Sequence, residues 1–431
     1  MIYFDNAATT FPKPECVYER MDKVNRTLAV NAGRGSYALA REAAELINDT
    51  RNELLDMVNG KDVAEVVFTA SATLALNQII GGLGISEDDV VYVSPYEHNA
   101  VIRTLYNNIY ISKSDTKGKA SIISNDYEQD GFSDNEKIYS KDLKGSNIIE
   151  IPLKENLELD MEQLKYMFSI NPPSYVFAAH VSNVTGYILP VEELAREAKK
   201  YNATVVIDAS QSLGLVNINL SELDIDFLVF AGHKTVYGPF GIGGFYVKNN
   251  FFMENTTHYD TKRLLTFIAG GTGSDSLNLK MSSELPVRYE AASPNIVAIA
   301  GLKAGLEYIK GLKGDYKASI DFLLEKERSL AKYLSDLLKE IPEIELYMPE
   351  NEKSTGIVAF NVKGYNASDV GMILDEDYDI AVRTGYHCAA LIHEWLGDME
   401  FGGVVRVSVG VFSCEEEIEV LVRGIREIVD E

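Results

Sequence analysis

The chain has 431 residues, 46% of them apolar, and carries 40 basic against 65 acidic side chains, a net charge of −25 with a pI near 4.7. That length exceeds one typical domain, and the apolar share suffices for a sizeable core. The strong negative charge argues against nucleic acid and against an anionic membrane surface as partners. The three cysteines, Cys16, Cys388 and Cys414, form no CxxC pair, so neither a zinc site nor a disulfide framework is expected. The opening MIYFDNAATTFPKP lacks the basic and apolar regions of a signal peptide, and no run of about 18 apolar residues is present. These features predict a soluble, intracellular, cytoplasmic protein.

Residues 1–14 read as an extended start punctuated by Pro12 and Pro14. Helices are expected over 15–30 and 36–58, the second with apolar or small residues at Ala40, Ala43, Ala44, Ile47, Leu54 and Val58. Between them Asn31–Gly35 is a turn whose Arg34 is either a solvated charge or an anion contact. Val66–Thr69 reads as a strand that runs through Ala70–Thr73 into an apolar helix over 74–80. Small residues at such a junction turn backbone N–H groups toward an anion, and an ordinary N-cap by Ser71 or Thr73 is the alternative. Val90–Val93 is a further strand, with His98 just beyond its end. Residues 107–147 are rich in Ser, Lys, Asp and Asn, with little period; they read as a solvated insertion with strand patches such as Ile122-Ile123, or as a docking surface.

Alternation of strand and helix then resumes. Tyr175–Ala179, Thr204–Asp208, Phe227–Phe230 and Gly244–Val247 are strands, and 191–201 is a helix. This pattern predicts an α/β fold with a mostly parallel, doubly wound sheet. Beyond about residue 290, helices over 294–310 and 315–340, strands Ile357–Asn361 and Val404–Ser408, and a helix from Cys414 predict a smaller α+β C-terminal domain. The expected division is a large domain over 15–289, and a small one combining 1–14 with 290–431.

The chemistry lies at the strand ends. Asn183, Asp208, Gln211, His233 and Lys234 follow three successive strands, and a doubly wound sheet would bring them to one rim. A partly desolvated lysine there is the type of amine that forms Schiff bases; a surface lysine in a turn is the plain alternative. With Asp208 placed 26 residues before it, Lys234 suggests pyridoxal phosphate, the acid pairing with the pyridinium nitrogen so that the ring acts as an electron sink. Asn183 and Gln211 would hydrogen-bond the ring oxygen and His98 would stack on the ring. Ala72, Thr73 and His233 would hold the phosphate. For Asp208 alone, a strand-end cap is the ordinary reading.

Taken together, DASQSLG at 208–214, FAGHKTVYGPFGIGG at 230–244, SNVTG at 182–186 and RTGYHCA at 383–389 resemble the class V aminotransferase superfamily, and within it the cysteine desulfurases and selenocysteine lyases. FDNAATT near the start, EHNAV at 97–101 and RVSVGVF at 406–412 match as well, so the resemblance covers nearly all of the chain outside 107–147. It implies the type I fold of the pyridoxal-phosphate-dependent transferases and a homodimer. Lys234 would hold the cofactor covalently, and Thr272 would reach the phosphate of the neighbouring subunit. Arg406 would bind the substrate carboxylate, with Asn183 beside it, and His98 would assist proton transfer. Cys388 would be the catalytic thiol that takes sulfur from L-cysteine as a persulfide, leaving L-alanine.

An attacking thiol must be a thiolate, which cationic neighbours favour. His387 and Arg383 are near Cys388 in sequence; the plain alternative for Cys388 is a small buried hydrophobe. Cys16 and Cys414 fall in helical patterns and read as structural. The RTG-x-HCA form resembles the group II desulfurases, which implies dependence on a sulfur-acceptor protein. Departures are Ala231 where Ser or Thr precedes the Gly-His-Lys, Ala390 in place of Pro, Ser413 in place of Asn, and Leu74 in place of an acid. They leave room for selenocysteine, cysteine sulfinate or a transamination substrate; a non-enzymatic sulfur-transfer scaffold is a third reading, against which the presence of Lys234, Asp208, His98, Arg406 and Cys388 speaks.

Overall fold

Tyr175–Ala179, Thr204–Asp208 and Phe227–Ala231 are apolar along most of their length because both of their faces are covered. In the computed structural model, which describes residues 1–32, 35–115, 147–252, 264–273 and 277–430, they sit at the centre of a seven-stranded sheet. The strand order is Ala64–Thr69, Gly243–Lys248, Phe227–Ala231, Thr204–Asp208, Tyr175–Ala179, Val91–Val93, Ile148–Glu150. Only Gly243–Lys248 runs against its neighbours. The strands 64–69, 91–93, 175–179, 204–208 and 227–231 therefore all end on the same edge.

A second sheet is antiparallel throughout, in the order Arg383–Gly385, Val404–Ser408, Ile357–Val362, Ile344–Tyr347. It packs with the helices Tyr316–Lys339, Ala367–Tyr378 and Glu415–Asp430 around a core containing Val358, Phe360, Val405 and Val407. The N-terminal strip joins this unit: Ile2–Tyr3 pairs in parallel with Ile380–Ala381, and Phe4 is fully buried. Helix Ile296–Lys313, capped by the Asn295 side chain and closed by Gly314 at φ 90°, packs against Glu15–Thr27 and Ala38–Met57.

Element ends move by a few residues from the expectation, and the helix predicted from 74 begins at Ala72, where Ser71 Oγ accepts from Leu74 N at 3.2 Å. Residues 107–115 are not part of an irregular excursion; they continue the helix Asn99–Asp115, whose Val101 and Leu105 are buried. The polar Asn108 obscured that periodicity, and its amide donates back to the Thr104 carbonyl. Ile122-Ile123 and Arg34 lie outside the described residues. The helices Met161–Ile170 and Ala367–Tyr378 and the strand Ile344–Tyr347 were not foreseen. Arg383–Gly385 is a strand because it pairs with Val404–Arg406.

Candidate active site

The common strand edge opens on a cavity of about 200 Å³. Ala72, Thr73, His98, Asn183, Asp208, Gln211, His233, Lys234 and Arg406 all line it, so nine of the eleven residues singled out by sequence converge. Arg383 lines it as well. Thr272 lines a different cavity of about 460 Å³, and Cys388 is exposed on a turn beside Arg383.

Lys234 lies three residues past the end of the strand Phe227–Ala231, in a turn pinned from the N-terminal strip. Thr9 Oγ1 donates to the His233 carbonyl and Thr10 Oγ1 to that of Lys234, each at 3.0 Å. The residue is half-buried, but its ammonium is enclosed. Burial lowers its pKa to about 8; Asp208 opposes the shift, while Arg406 and Arg383 add to it. Asp208 ends the next strand, where its Oδ1 accepts from Ser210 N at 2.9 Å. Beside it Glu97 is fully buried, accepts from Ser94 Oγ at 2.6 Å and from Ala179 N, and is pushed up to about 8, first by burial. The Asp208 charge adds to that upward shift.

His98 is held neutral: burial and the Lys234 charge lower it to about 4. Its Nδ1 accepts from Ala100 N at 3.0 Å, which places the ring proton on Nε2. Gln211 spends one of its amide N–H groups on the Ala7 carbonyl at 2.8 Å. Asn183 donates to the His387 carbonyl at 2.7 Å, while its own carbonyl accepts from Arg406 at 2.8 Å. Arg406 is 1% exposed and also pairs with Asp5, and its Nε has no partner. Burial lowers the pKa of its guanidinium.

The residues present fit pyridoxal phosphate. At one end of the cavity the helix Ala72–Leu83 presents its N-terminus. His233 Nδ1 is buried there without a hydrogen-bond partner, its ring stacked on Phe240 at 4.6 Å. A Cβ at Gly243 would come within 2.8 Å of Ala72 N, so only glycine leaves this cradle open. An anion accepting from these donors would satisfy them, an acid stands ready for a pyridine nitrogen, and a desolvated amine for the aldehyde. Among the described residues no group of three or more His, Cys, Asp and Glu is placed to hold a metal, and no helix is long and apolar enough to cross a membrane.

Cys388 occupies a tight turn. Ala389 N donates to the Tyr386 carbonyl at 2.9 Å, and both central residues have positive φ, 45° at His387 and 57° at Cys388. Left-handed backbone costs a non-glycine residue about 1–2 kcal/mol, so the turn depends on its anchors. The Cys388 carbonyl accepts from Asn99 N at 2.6 Å, and His387 Nε2 donates to the Val404 carbonyl at 3.1 Å. His387 thus faces away from the thiol, and the cation beside Cys388 Sγ is Arg383, with Nη2 at 3.9 Å.

Sequence reasoning missed Asp5, Glu97 and the pair His393–Asp398. Asp5 and Glu97 lie inside motifs already singled out, FDNAATT and EHNAV, and their acidic side chains were the available signal. His393 and Asp398 belong to no motif.

The aminotransferase class-V family profile matches residues 2–108 and 111–421. A probable cysteine desulfurase of Pyrococcus abyssi is 33% identical over the whole of this chain and 94% of the relative. A cysteine desulfurase of Pectobacterium carotovorum is 29% identical over 99% of this chain and 93% of its own. Among solved structures, the apo cysteine desulfurase of Thermococcus onnurineus superposes with a TM-score of 0.79 at 30% identity, covering 100% of this chain and 94% of that one. Class V aminotransferases and cysteine desulfurases are pyridoxal-phosphate enzymes. With the family profile spanning nearly its whole length, this chain belongs to the class V aminotransferases.

Proposed function

We propose that the chain is a cysteine desulfurase that converts L-cysteine to L-alanine and carries the sulfur on Cys388 as a persulfide. The observation that carries this reading is the Cys388 thiol, exposed and 3.9 Å from an Arg383 nitrogen that also lines the cavity of Lys234 and Asp208. Bound pyridoxal phosphate supplies an electron sink for the pair released at Cα. Lys234 would hold it covalently and, when its amine is free, would move the Cα proton. Asp208 would pair with the ring nitrogen, Asn183 and Gln211 would hydrogen-bond the ring hydroxyl, and His98 would lie against the ring with its Nε2–H as a donor. Ala72, Thr73 and His233 take the phosphate, and Arg406 takes the substrate carboxylate. Cys388 then attacks the substrate sulfur. A sulfur–sulfur bond forms, the carbon–sulfur pair stays on carbon, and protonation there completes alanine. A thiol reductant or an acceptor protein removes the sulfur. Alanine and sulfide released in equal amounts from L-cysteine by the native protein, and by no Cys388→Ala variant, test the reading.

The depressed Lys234 amine has a consequence for cofactor uptake. At pH 7 about one tenth of it is neutral, against less than about one in a thousand for an ordinary lysine at 10.5. The neutral amine attacks the aldehyde, so the rate at which apoprotein takes up pyridoxal phosphate should climb about tenfold per unit below pH 7 and level off above pH 8. Uptake followed by its visible absorption checks this; a rate still climbing at pH 10 would mean an ordinary lysine.

The working unit is a homodimer in which Thr272 reaches the cofactor phosphate of the second copy. Thr272 lies outside its own chain's Lys234 cavity, and Leu277 and Leu279, 99% and 104% exposed, leave an apolar face nearby in sequence. Light scattering should give twice 47.8 kDa; a single-chain mass with full cofactor binding excludes the shared site. In favour of a division into 15–289 and 1–14 plus 290–431 stands the second sheet's own core around Val358, Phe360, Val405 and Val407, although Tyr347, Ala359 and Val404 pack into the main-sheet core. A reducing, cytoplasmic setting suits three cysteines that are all free.

A further inference from the structure

His393 and Asp398 belong to none of the roles assigned above. His393 lies in the single-turn helix Ile392–Leu396, which Gly397 ends at φ 69° before Asp398 opens the next turn. Both side chains are 0% exposed. His393 Nδ1 lies 2.5 Å from Asp398 Oδ2, and Nε2 lies 3.0 Å from the Tyr386 carbonyl oxygen. A carbonyl only accepts, so Nε2 carries a proton, and the carboxylate holds the other nitrogen and fixes the ring. The Tyr386 ring meets that of His393 edge-on at 5.1 Å.

The Tyr386 carbonyl is the closing acceptor of the turn whose two central residues are His387 and Cys388, both at positive φ. That turn is unfavourable for non-glycine residues, and its strain would relax by rotating Cys388 unless the ends were fixed. The carbonyls of His387 and Cys388 are bound by Asn183 and Asn99, on the cavity side. On the far side, His393 supplies the side-chain donor to the Tyr386 carbonyl. From these contacts we propose that His393, oriented by Asp398, is a positioning residue for Cys388: it clamps the left-handed turn that presents the thiol to substrate sulfur. The inference rests on the desulfurase reading for its kinetic effect, but not for its effect on the thiol.

The test replaces the pair by His393→Leu/Asp398→Leu, since apolar groups of similar size in place of a buried ion pair often preserve stability. That variant should melt with the native protein and load pyridoxal phosphate normally. Its kcat for L-cysteine should fall about 10²-fold, as expected for a misplaced reacting group, with KM changed less than about twofold. Asp398→Asn donates to Nδ1 and so keeps the proton on Nε2, where the clamp needs it; kcat should fall no more than about threefold. His393→Gln carries an amide N–H toward the same carbonyl and should stay within about tenfold of native. A leucine pair as active as native protein overturns the proposal, as does Asp398→Asn falling with the leucine pair. Should the leucine pair fail to fold, a 10²-fold loss in His393→Gln overturns it instead.

Labelling by iodoacetamide, read by peptide mass spectrometry, needs no turnover. Cys388 should label at least about threefold more slowly in the leucine pair, as the thiol leaves Arg383, with Cys16 and Cys414 as unchanged references. Equal labelling overturns the clamp. A native protein that makes no alanine from cysteine sinks the desulfurase reading alone, because labelling still decides the clamp.

Discussion

Lys234→Ala should lack the visible absorption of lysine-bound pyridoxal phosphate and should release no alanine from L-cysteine. Two losses combine. The covalent tether disappears, and so does the base for the Cα proton, a role worth about 10²–10⁴-fold by itself. Among the described residues no other lysine lines the cavity. A desolvated amine close by in the fold is Lys13, lowered to about 8 by burial, whose Nζ donates to the carbonyls of Thr10 and His233 at 3.0 and 3.1 Å. Those bonds hold it outside the cavity, and it cannot substitute without breaking them. Borohydride reduction of the native, loaded protein followed by peptide mapping should mark Lys234 alone. A normal band in Lys234→Ala, or a mark on Lys13, would remove Lys234 from the cofactor. Loss of the band with a native melting profile is the expected pairing, since the substitution removes a desolvated charge rather than core packing.

The lysine was legible from sequence for a physical reason. Parallel strands buried on both faces are continuous apolar runs, and polar residues directly after such runs lie at the sheet's carboxyl edge. That places His98, Asn183, Asp208, Gln211, His233 and Lys234 once the strands are recognised. The arginines were harder. Arg406 lies inside a strand, and its partner Asp5 stands 401 positions away; the bridge between Asp5 and Ser408 brings them together. Arg383 reads as a loop residue until the pairing of Arg383 with Arg406 makes its segment a strand. His387, next to Cys388 in sequence, would have been the natural choice for the cation at the thiol. The positive φ at both residues turns its ring to Val404 instead, and no local pattern encodes that turn. His393 is hidden for a similar reason, because its function lies in two contacts made through a backbone carbonyl and a buried acid.

Cys388→Ala separates cofactor chemistry from sulfur transfer. The thiol is exposed and does not line the cavity, so the variant should load pyridoxal phosphate with the native band and melt within experimental error of native protein. Alanine also tolerates the φ of 57° no worse than cysteine does. Alanine and sulfide release from L-cysteine should nevertheless fall by roughly 10³-fold or more, because a positioned nucleophile is replaced by dilute thiol from solution. Cys16, on the helix Glu15–Thr27 with its Sγ toward the Ala304 carbonyl, and Cys414, at the start of Glu415–Asp430, lie on other elements and cannot stand in. Native protein given cysteine without an acceptor should carry a Cys388 peptide heavier by one sulfur atom, and the variant none. If Cys388→Ala still releases alanine at the native rate, the substrate's leaving group departs without a nucleophile. The persulfide would then be no part of the reaction.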